Sequence, residues 1–315
     1  MGNRRVTPLL FSIVIPTHNR AGTLRRSLSH LLRLEGMERC EAIVVNDGST
    51  DDTAAVLEEA RQAAPEIVRA LTVENGGPAR ARNHGVEAAR GERILFLDDD
   101  VFPRRGMLQS HARMLDAGYR GSQGLLLWPR ELAGSPLIRY IDSRGSQFAF
   151  DRVEDTRRMD FRYVYTGNFA VVRAELERAG GFDEELFNRK AGFSAFEDTV
   201  LGYRLQRNGA ALALNKEAVA DHTHEMTEEE YLRRERNVGY GIGLLNRKYP
   251  EIARELGLAR KHFLAAPQMR LLRLVNGLPA LRRAAGYSLG MRLRHREAFY
   301  RGFLQFQRED AGGDR

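Results

Sequence analysis

Three consecutive aspartates, Asp98, Asp99 and Asp100, directly follow the apolar run 93–97. A short apolar run that ends in polar residues is typical of a buried strand. Adjacent carboxylates repel one another unless a cation lies beside them. In an extended segment residues two apart share a face, so Asp98 and Asp100 are predicted to face one site. The triplet therefore favours a divalent ion that bridges phosphates, Mg²⁺ or Mn²⁺, and a solvated acidic turn is the alternative.

A second acidic turn, Asn46–Asp51, follows the apolar run 42–45. At the end of a strand, the carboxylate of Asp47 is able to accept a hydrogen bond from the imide N–H of a nucleobase. Gly48 permits a close approach of the backbone to a ligand. The alternative is an ordinary turn in which Ser49 caps the following helix.

Two further pairs of polar residues lie in the second half of the chain. Glu197 and Asp198 begin the predicted helix 196–208, where a carboxylate acts as a general base toward an alcohol or simply complements the helix dipole. His222 and His224 share one face of a predicted extended segment. Either imidazole is a candidate metal ligand, although a structural role is commoner for such a pair.

A parallel sheet would position these residues. Apolar runs at 11–15, 42–45, 70–73 and 93–97 alternate with helical patterns, which is the order expected of βαβ units and an α/β fold. Ligands of such sheets bind at the carboxyl ends of the strands. Because the acidic turns follow these runs, we expect them to lie together at that edge.

The last third of the sequence differs from the rest. From residue 227 onward the pattern is helical, with breaks at Pro250, Pro267 and Pro279. We therefore predict a catalytic domain over 1–225 and a basic helical region over 226–315.

The positive charge of the chain belongs to that last region. The 315 residues contain 49 Lys and Arg against 42 Asp and Glu, a formal net charge of +7. Residues 226–315 carry a net +8, so residues 1–225 carry a net −1. The first region is therefore not expected to bind its ligand through a broadly basic cleft.

Composition also limits the compartment and the metal chemistry. Cys40 is the only cysteine, which excludes an internal disulfide and a zinc-ribbon site. No apolar run is long enough to span a bilayer, and the first residues lack the pattern of a secretory signal. We expect a cytoplasmic protein.

The order of the motifs along residues 10–225 resembles that of family-2 glycosyltransferases. The segments that carry the resemblance are Ser12–Arg20, Val45–Thr53, Ala79–Asn83, Gly91–Asp100, Thr166–Asn168, Gly181–Glu184 and Phe196–Arg204. The resemblance implies a GT-A fold, a Rossmann-like and mostly parallel sheet flanked by helices, here with a C-terminal helical appendage. It also implies metal-dependent, inverting transfer of a sugar from a nucleotide diphosphate sugar, commonly a UDP-sugar, to a hydroxyl acceptor.

The resemblance further assigns roles by position. Residues expected at the nucleotide sugar are Pro16, Thr17, Asn19, Asp47, Arg82, Asp98 and Asp99. Asp100 would hold Mn²⁺ or Mg²⁺ on the diphosphate, with His222 or His224 as a second ligand. Asp198 would be the catalytic base, with Glu197 beside it. The family often has two aspartates before the glycine of the second motif, and here the first of them is Asn46.

The partner of the basic region is left open by the sequence. Between residues 256 and 308 there are 11 basic residues and one acidic residue, Glu297. Such a segment lies on an anionic membrane surface, packs on the catalytic domain, or joins two copies of the chain. Peripheral membrane contact would suit a lipid-linked acceptor in polysaccharide, glycolipid or glycoconjugate synthesis. A nucleic-acid-binding protein that uses the arginine-rich tail, and a non-catalytic nucleotide-sugar binder, are the alternative functions.

Overall fold

The computed structural model of the chain describes residues 9–145, 147–188, 192–258, 269, 272, 274, 276 and 286–313. The chain divides into two compact units. The first contains the described residues up to Arg130, with Phe148–Glu184 and Glu197–His224. The second contains the described residues of Glu131–Gln147, Glu185–Phe196 and Glu225–Arg315. The predicted division into 1–225 and 226–315 stays a prediction, since the second unit also draws on two earlier segments.

Strands and helices alternate along the first half of the chain. The strands are β1 (Phe11–Thr17), β2 (Cys40–Asp47), β3 (Val68–Val73), β4 (Arg93–Leu97), β5 (Val101–Pro103), β6 (Gly121–Leu127), β7 (Asn168–Val172), β8 (Phe187–Asn188), β9 (Phe193–Ser194) and β10 (Leu212–His222). The helices are α1 (Ala21–Leu31), α2 (Thr53–Ala63), α3 (Pro78–Ala88), α4 (Met107–Asp116), α5 (Arg130–Ala133), α6 (Pro136–Arg144), α7 (Arg173–Ala179), α8 (Glu197–Arg207), α9 (Glu228–Lys248), α10 (Pro250–Glu255) and α11 (Gly286–Gly313). Short 3-10 turns lie at Met37–Arg39, Phe150–Arg152, Phe161–Tyr163 and Glu184–Leu186.

The first unit is built on one mixed sheet with the strand order β3-β2-β1-β4-β7-β6-β10-β5. Strands β1 to β4 form its parallel half: β1 lies between β2 and β4, and β2 pairs with β3. The predicted α/β fold is thereby confirmed. In the other half β7 runs antiparallel to β4 and β6, and β10 is parallel to β6 and antiparallel to β5.

Burial explains the apolar runs of the sequence. Every residue of β1 and of β2 is buried, because helices cover both faces of a parallel sheet. Residues such as Ile13, Val44 and Phe96 have no exposed surface. At the carboxyl ends of β1, β2 and β4 these buried apolar runs give way to polar residues, among them Thr17, Asp47 and Asp98.

The second half of the chain is less regular than its sequence predicts. The sequence of residues 163–172 favours a strand, but a 3-10 turn covers Phe161–Tyr163 and β7 begins only at Asn168. The side chain of Asp160 accepts a hydrogen bond from the backbone N–H of Arg162 at 3.0 Å, which stabilises the turn against an extended conformation. The helix predicted at 196–208 is confirmed as α8.

Two helices dominate the second unit. The backbones of α9 and α11 approach each other closely at two glycines. A Cβ atom at Gly239 would lie 2.0 Å from the carbonyl oxygen of Phe299, and one at Gly302 would lie 1.7 Å from that of Arg236. Thr227 begins α9 with a capping box. Within the described residues no helix is both long and apolar enough to span a membrane. Pro267, Pro279 and most of residues 259–285 of the basic region lie outside the described residues.

A buried carboxylate near the start of β2 forms hydrogen bonds with residues of β1 and β3. Glu41 on β2 has no exposed surface. It accepts hydrogen bonds from the hydroxyl of Ser12 at 2.6 Å, from the backbone N–H and side chain of Arg90 at 2.7 and 2.8 Å, and from Arg69 at 2.8 Å. Burial alone would raise the pKa of Glu41, but these hydrogen bonds outweigh it and hold the pKa below its ordinary value.

Replacing Glu41 by Gln should therefore destabilise the fold. A carboxylate with a depressed pKa stabilises the folded state above its unfolded pKa, and the contribution is lost as the pH falls through the folded pKa. We expect Glu41→Gln to lower the free energy of unfolding by about 2 kcal/mol at pH 7, with a smaller difference below about pH 4. Urea denaturation followed by circular dichroism measures both. Glu66→Gln, an exposed change in the turn after α2, should leave stability nearly unchanged, and an equal loss in both variants would contradict the assignment.

Candidate functional site

The candidate site lies at the carboxyl edge of the parallel strands. Thr17 ends β1, Asp47 ends β2, and Asp98 follows β4. The hydroxyl of Thr17 donates a hydrogen bond to Asp99 Oδ2 at 2.7 Å, so the ends of β1 and β4 are joined by their side chains. This edge is where α/β sheets bind ligands.

The aspartate triplet forms a turn. The backbone N–H of Val101 donates to the carbonyl of Asp98 at 3.2 Å, and the expectation that Asp98 and Asp100 share a face of an extended segment is wrong. The reason is non-local. The chain must leave β4 and reach β5, which lies four positions from β4 in the sheet and pairs with β10. The turn directs Asp98 toward Arg82, and Asp99 and Asp100 toward Arg20.

Asp99 and Asp100 share one guanidinium. Arg20 NH1 lies 3.1 Å from Asp99 Oδ1 and 2.5 Å from Asp100 Oδ2, and each aspartate is only 5% exposed. Burial raises the pKa of Asp99 to about 7, although Arg20 opposes the shift. Burial also acts to raise the pKa of Asp100, but His222 and Arg20 outweigh it and the net shift is downward. The two carboxyls therefore differ in proton affinity although they are neighbours.

Both histidines of the pair at the end of β10 approach Asp100. His222 Nε2 lies 3.6 Å from Asp100 Oδ1, and His224 Nδ1 lies 3.8 Å from Asp100 Oδ2. The backbone N–H of Thr223 donates to the carbonyl of Asp100 at 2.9 Å, which fixes the strand end against the turn. The ring of His222 contacts that of Trp128, with the centroids 5.0 Å apart. The structure thus brings the three predicted metal ligands together.

The donors present fit a divalent ion. One carboxylate and two imidazoles are ligands that such ions accept. Two ligands of one ion, each at about 2.1 Å, lie about 3 to 4 Å apart, and the separations of Asp100 from both histidines fall in this range. His222 Nδ1 is buried without a hydrogen-bond partner in the described residues. Among those residues no group of three histidine, cysteine or acidic side chains is arranged so that it could hold a metal ion, and Arg20 engages Asp100 in this conformation.

Asp198 is held by the segment that precedes β7. Its Oδ1 accepts a hydrogen bond from the hydroxyl of Thr166 at 2.8 Å, and its Oδ2 accepts one from the backbone N–H of Thr166 at 3.0 Å. Gln123 Oε1 accepts from the N–H of the preceding residue, Tyr165, at 2.8 Å. Desolvation raises the pKa of Asp198, and Arg82 is the main opposing charge. A carboxylate with these properties is suited to accept a proton near neutral pH.

Arg82 on α3 is a buried cation among three carboxylates. Its NH2 donates to Asp98 Oδ1 at 2.8 Å, and its NH1 lies 3.7 Å from Glu197 Oε1. The residue is 5% exposed, and its Nε and NH1 have no hydrogen-bond partner in the described residues. Asp98 and Asp198 raise the pKa of Arg82 against the effect of burial. Arg82 thus connects the aspartate turn to the start of α8.

Asp47 and Asn19, two more of the residues predicted to contact the nucleotide, form hydrogen bonds with the loops that follow the strands. Asp47 accepts hydrogen bonds from the backbone N–H groups of Gly76 at 2.8 Å and Gly77 at 2.9 Å, and so holds the turn before α3. Asn19, at φ 53°, accepts from the N–H of Thr50 at 2.7 Å. Pro16 is buried within β1. Contact of these residues with a nucleotide stays a prediction.

Arg20 and Thr166 were not assigned a role from the sequence. Each partner lies far away along the chain: Arg20 is about 80 residues from Asp99 and Asp100, and Thr166 is 32 residues from Asp198. The only sequence signal that could have pointed to Arg20 and Thr166 is that each lies within one of the segments that carry the family resemblance.

Comparison with known proteins agrees with this arrangement. Residues 12–128 match the family described as Glycosyl transferase family 2. Chondroitin synthase of Escherichia coli is 27% identical over 276 residues, which cover 78% of this chain and 39% of that protein. The chain spans between 28% and 64% of the length of the first four curated relatives that it matches.

Two solved structures have the same fold. The mannosyltransferase PcManGT from Pyrobaculum calidifontis, in complex with GDP-Man and Mn²⁺, has a TM-score of 0.63 at 16% identity and covers 98% of this chain and 89% of that chain. S. aureus TarS 1-349, in complex with UDP-GlcNAc, has a TM-score of 0.55 at 16% identity and covers 95% and 92%. The predicted GT-A fold is confirmed, and at these identities the likeness concerns the fold.

Replacing Arg82 by Met should make stability depend more steeply on pH. Loss of the guanidinium raises the pKa of Asp198 further, because its nearest opposing charge is removed. When an acid has a higher pKa folded than unfolded, stability falls as the pH rises between the two values. We expect Arg82→Met to lose about 3 kcal/mol at pH 8 and clearly less at pH 5, as measured by urea denaturation.

Arg80→Met provides the matched control, since it removes the same charge from the same helix. We expect its loss of stability to be small and equal at the two pH values. If the loss in Arg82→Met were also independent of pH, Arg82 would not be the counter-charge of these carboxylates.

Proposed function

We propose that the chain, whose residues 12–128 match the family described as Glycosyl transferase family 2, transfers a sugar from a nucleotide diphosphate sugar to a hydroxyl acceptor. The observation that carries the proposal is the position of two acidic groups at one strand edge. Asp98 is linked through Arg82 to the start of α8, where Asp198 lies. A Cβ atom at Gly167, next to Thr166, would lie 3.1 Å from Asp98 Oδ2, so this segment lies against both groups.

The donor is proposed to lie across the ends of β1, β2 and β4. The nucleotide would contact Pro16, Thr17, Asn19, Asp47, Arg82, Asp98 and Asp99. We propose a UDP-sugar, a choice supported by the UDP-GlcNAc complex of TarS; the GDP-Man complex of PcManGT makes GDP the alternative base. Asp100, with His222 or His224, would hold Mn²⁺ or Mg²⁺, in keeping with the Mn²⁺ in the PcManGT complex.

The chemistry assigned to the chain is proton transfer and positioning. A bound divalent ion offsets the negative charge of the departing diphosphate. Asp198 accepts the proton of the acceptor hydroxyl, and its two hydrogen bonds to Thr166 hold the carboxylate in one orientation. Arg82 favours the ionised form of Asp198. Attack of the acceptor oxygen on the face opposite the diphosphate gives inversion at the anomeric carbon.

The acceptor is proposed to belong to polysaccharide, glycolipid or glycoconjugate synthesis, in keeping with the name of the chondroitin synthase relative. Cytoplasmic location, with contact of 256–308 to a membrane surface or a second copy, remains a proposal. Leu274, Tyr287 and Leu289, at 65%, 41% and 46% exposed, are the large hydrophobic residues that are exposed in the described part of this segment. Flotation with anionic vesicles tests it, and absence of co-flotation would exclude the membrane.

A donor screen tests the proposed function directly. Thermal unfolding of the full chain is measured with UDP-, GDP-, dTDP- and CMP-sugars, each with and without Mn²⁺. We expect a UDP-sugar to raise the melting temperature most, and only with Mn²⁺ to the full extent. No shift with any nucleotide sugar would contradict the proposal.

Asp198→Asn should abolish the chemistry and spare the binding. Asparagine keeps the shape of the side chain but cannot accept the proton, so we expect the slow hydrolysis of the bound UDP-sugar to fall by about 10² to 10⁴. Calorimetry should give an unchanged affinity for UDP with Mn²⁺. Asp151→Asn, an exposed change, serves as control, and unchanged hydrolysis in Asp198→Asn would exclude Asp198 as the base.

Asp100→Ala should affect binding instead. Because Asp100 is the proposed ligand of the ion, we expect the affinity for UDP to fall by at least about tenfold with Mn²⁺ present and to change little without Mn²⁺. Isothermal titration under both conditions measures the difference. Equal affinities of Asp100→Ala and the wild type in Mn²⁺ would overturn the metal assignment.

A further inference from the structure

Arg20 occupies the pair of carboxylates that the proposed function assigns to the donor and its metal ion. It lies between β1 and α1, and its NH1 contacts both Asp99 Oδ1 and Asp100 Oδ2. The two aspartates are buried, whereas the side chain of Arg20 is 38% exposed. The cation is therefore attached at the open side of the site.

Charge explains why a cation is needed there. Two buried carboxylates on adjacent residues repel one another, and neutralising them requires a positive group within a few ångströms. Thr17 orients Asp99 by donating to its Oδ2 at 2.7 Å, which leaves Oδ1 for Arg20. In the described conformation the guanidinium provides the local positive charge.

A divalent ion and Arg20 compete for Asp100. An ion bound to Asp100 Oδ2 would lie about 2.1 Å from that oxygen, and Arg20 NH1 lies 2.5 Å from the same atom. The two cations would thus be within about 5 Å of each other, where like charges repel strongly in a buried site. Binding of the free ion therefore requires the guanidinium to move.

We propose that Arg20 is a tethered counter-cation of Asp99 and Asp100 that weakens binding of the free divalent ion and is displaced when ion and nucleotide diphosphate bind together. This inference rests on the proposed function. The phosphates replace the ion pairs that Arg20 loses with Asp99 and Asp100, because a guanidinium forms paired hydrogen bonds with phosphate oxygens. The exposed part of the side chain gives it room to turn toward such a ligand. The residue thereby couples loading of the ion to loading of the donor.

A purely structural role of Arg20 makes a different prediction. If Arg20 only fastened the start of α1 to the aspartate turn, its removal would lower stability and bring no gain in affinity for the ion. The displaced counter-cation instead requires the affinity for the free ion to rise when the guanidinium is removed.

The test measures Mn²⁺ binding to the full chain without nucleotide, by the electron paramagnetic resonance signal of free Mn²⁺. We expect Arg20→Met to bind Mn²⁺ at least about tenfold more tightly than the wild type. Arg26→Met, an exposed change on α1, should bind like the wild type. With saturating UDP the advantage of Arg20→Met should disappear or reverse, because the phosphates then lack their arginine.

Arg20→Gln provides a second variant should Arg20→Met fail to fold, since it removes the charge but keeps a hydrogen-bond donor. We expect it also to bind free Mn²⁺ more tightly than the wild type, whereas Arg20→Lys, which keeps the charge, should bind like the wild type. An Arg20→Gln affinity for free Mn²⁺ no higher than that of the wild type overturns the inference. If Arg20→Met folds and binds free Mn²⁺ no more tightly than the wild type, while both bind Mn²⁺ with UDP, the inference is overturned and the proposed function stands. If neither protein binds Mn²⁺ even with UDP, the metal-dependent function itself is wrong.

Discussion

The candidate site depends on one constraint: the negative charge of its clustered carboxylates must be neutralised by nearby cations. The aspartate turn and the start of α8 bring five carboxylates to one end of the sheet, and buried carboxylates without a counter-charge cost several kcal/mol each. Arg82 serves Asp98 and the acids of α8, and Arg20 serves the other two. Each arginine comes from the helical segment that follows a parallel strand. The βαβ connections therefore also place the guanidinium groups of Arg20 and Arg82 beside the carboxylates of the site.

A neutral layer lies below these charges. His111 on α4 has no exposed surface, and its ring nitrogens contact Ser122 Oγ and Asn168 Oδ1, both at 2.9 Å. Burial lowers the pKa of His111 to about 4, so the ring is uncharged at neutral pH. The amide of Asn168 donates to the backbone carbonyls of Leu125 and Ala218. This network fixes the first residue of β7, two residues after the hydroxyl that holds Asp198. Polar but uncharged groups thus provide rigidity without adding to the electrostatic cost.

The sequence predicts the parallel half of the fold well because the signals there are local. Apolar runs identify β1, β2 and β4, and parallel pairing then requires their polar ends to meet. The conformation of the Asp98–Asp100 turn was predicted wrongly because it is set by pairing of β5 with β10, more than 100 residues later. Motif order made Asp198 a candidate base, which stays a prediction, and its hydrogen bonds to Thr166 arise only from tertiary structure. The partner of a charged side chain is the part of a site that local patterns least reveal.

The distribution of charge along the chain is consistent with a site whose cations are local. Residues 1–225 carry a net charge of −1, whereas 226–315 carry +8. A diphosphate ligand is dianionic or more, and at physiological salt the field of distant charges is screened within about 8 Å. Attraction of such a ligand to the strand edge must therefore come from cations within the site, which are few and already engaged with carboxylates. Under the proposed function, binding there would be an exchange of ionic partners, and the difference between two sets of ion pairs would set the affinity. A site of this kind admits an anion together with its cation more readily than either alone.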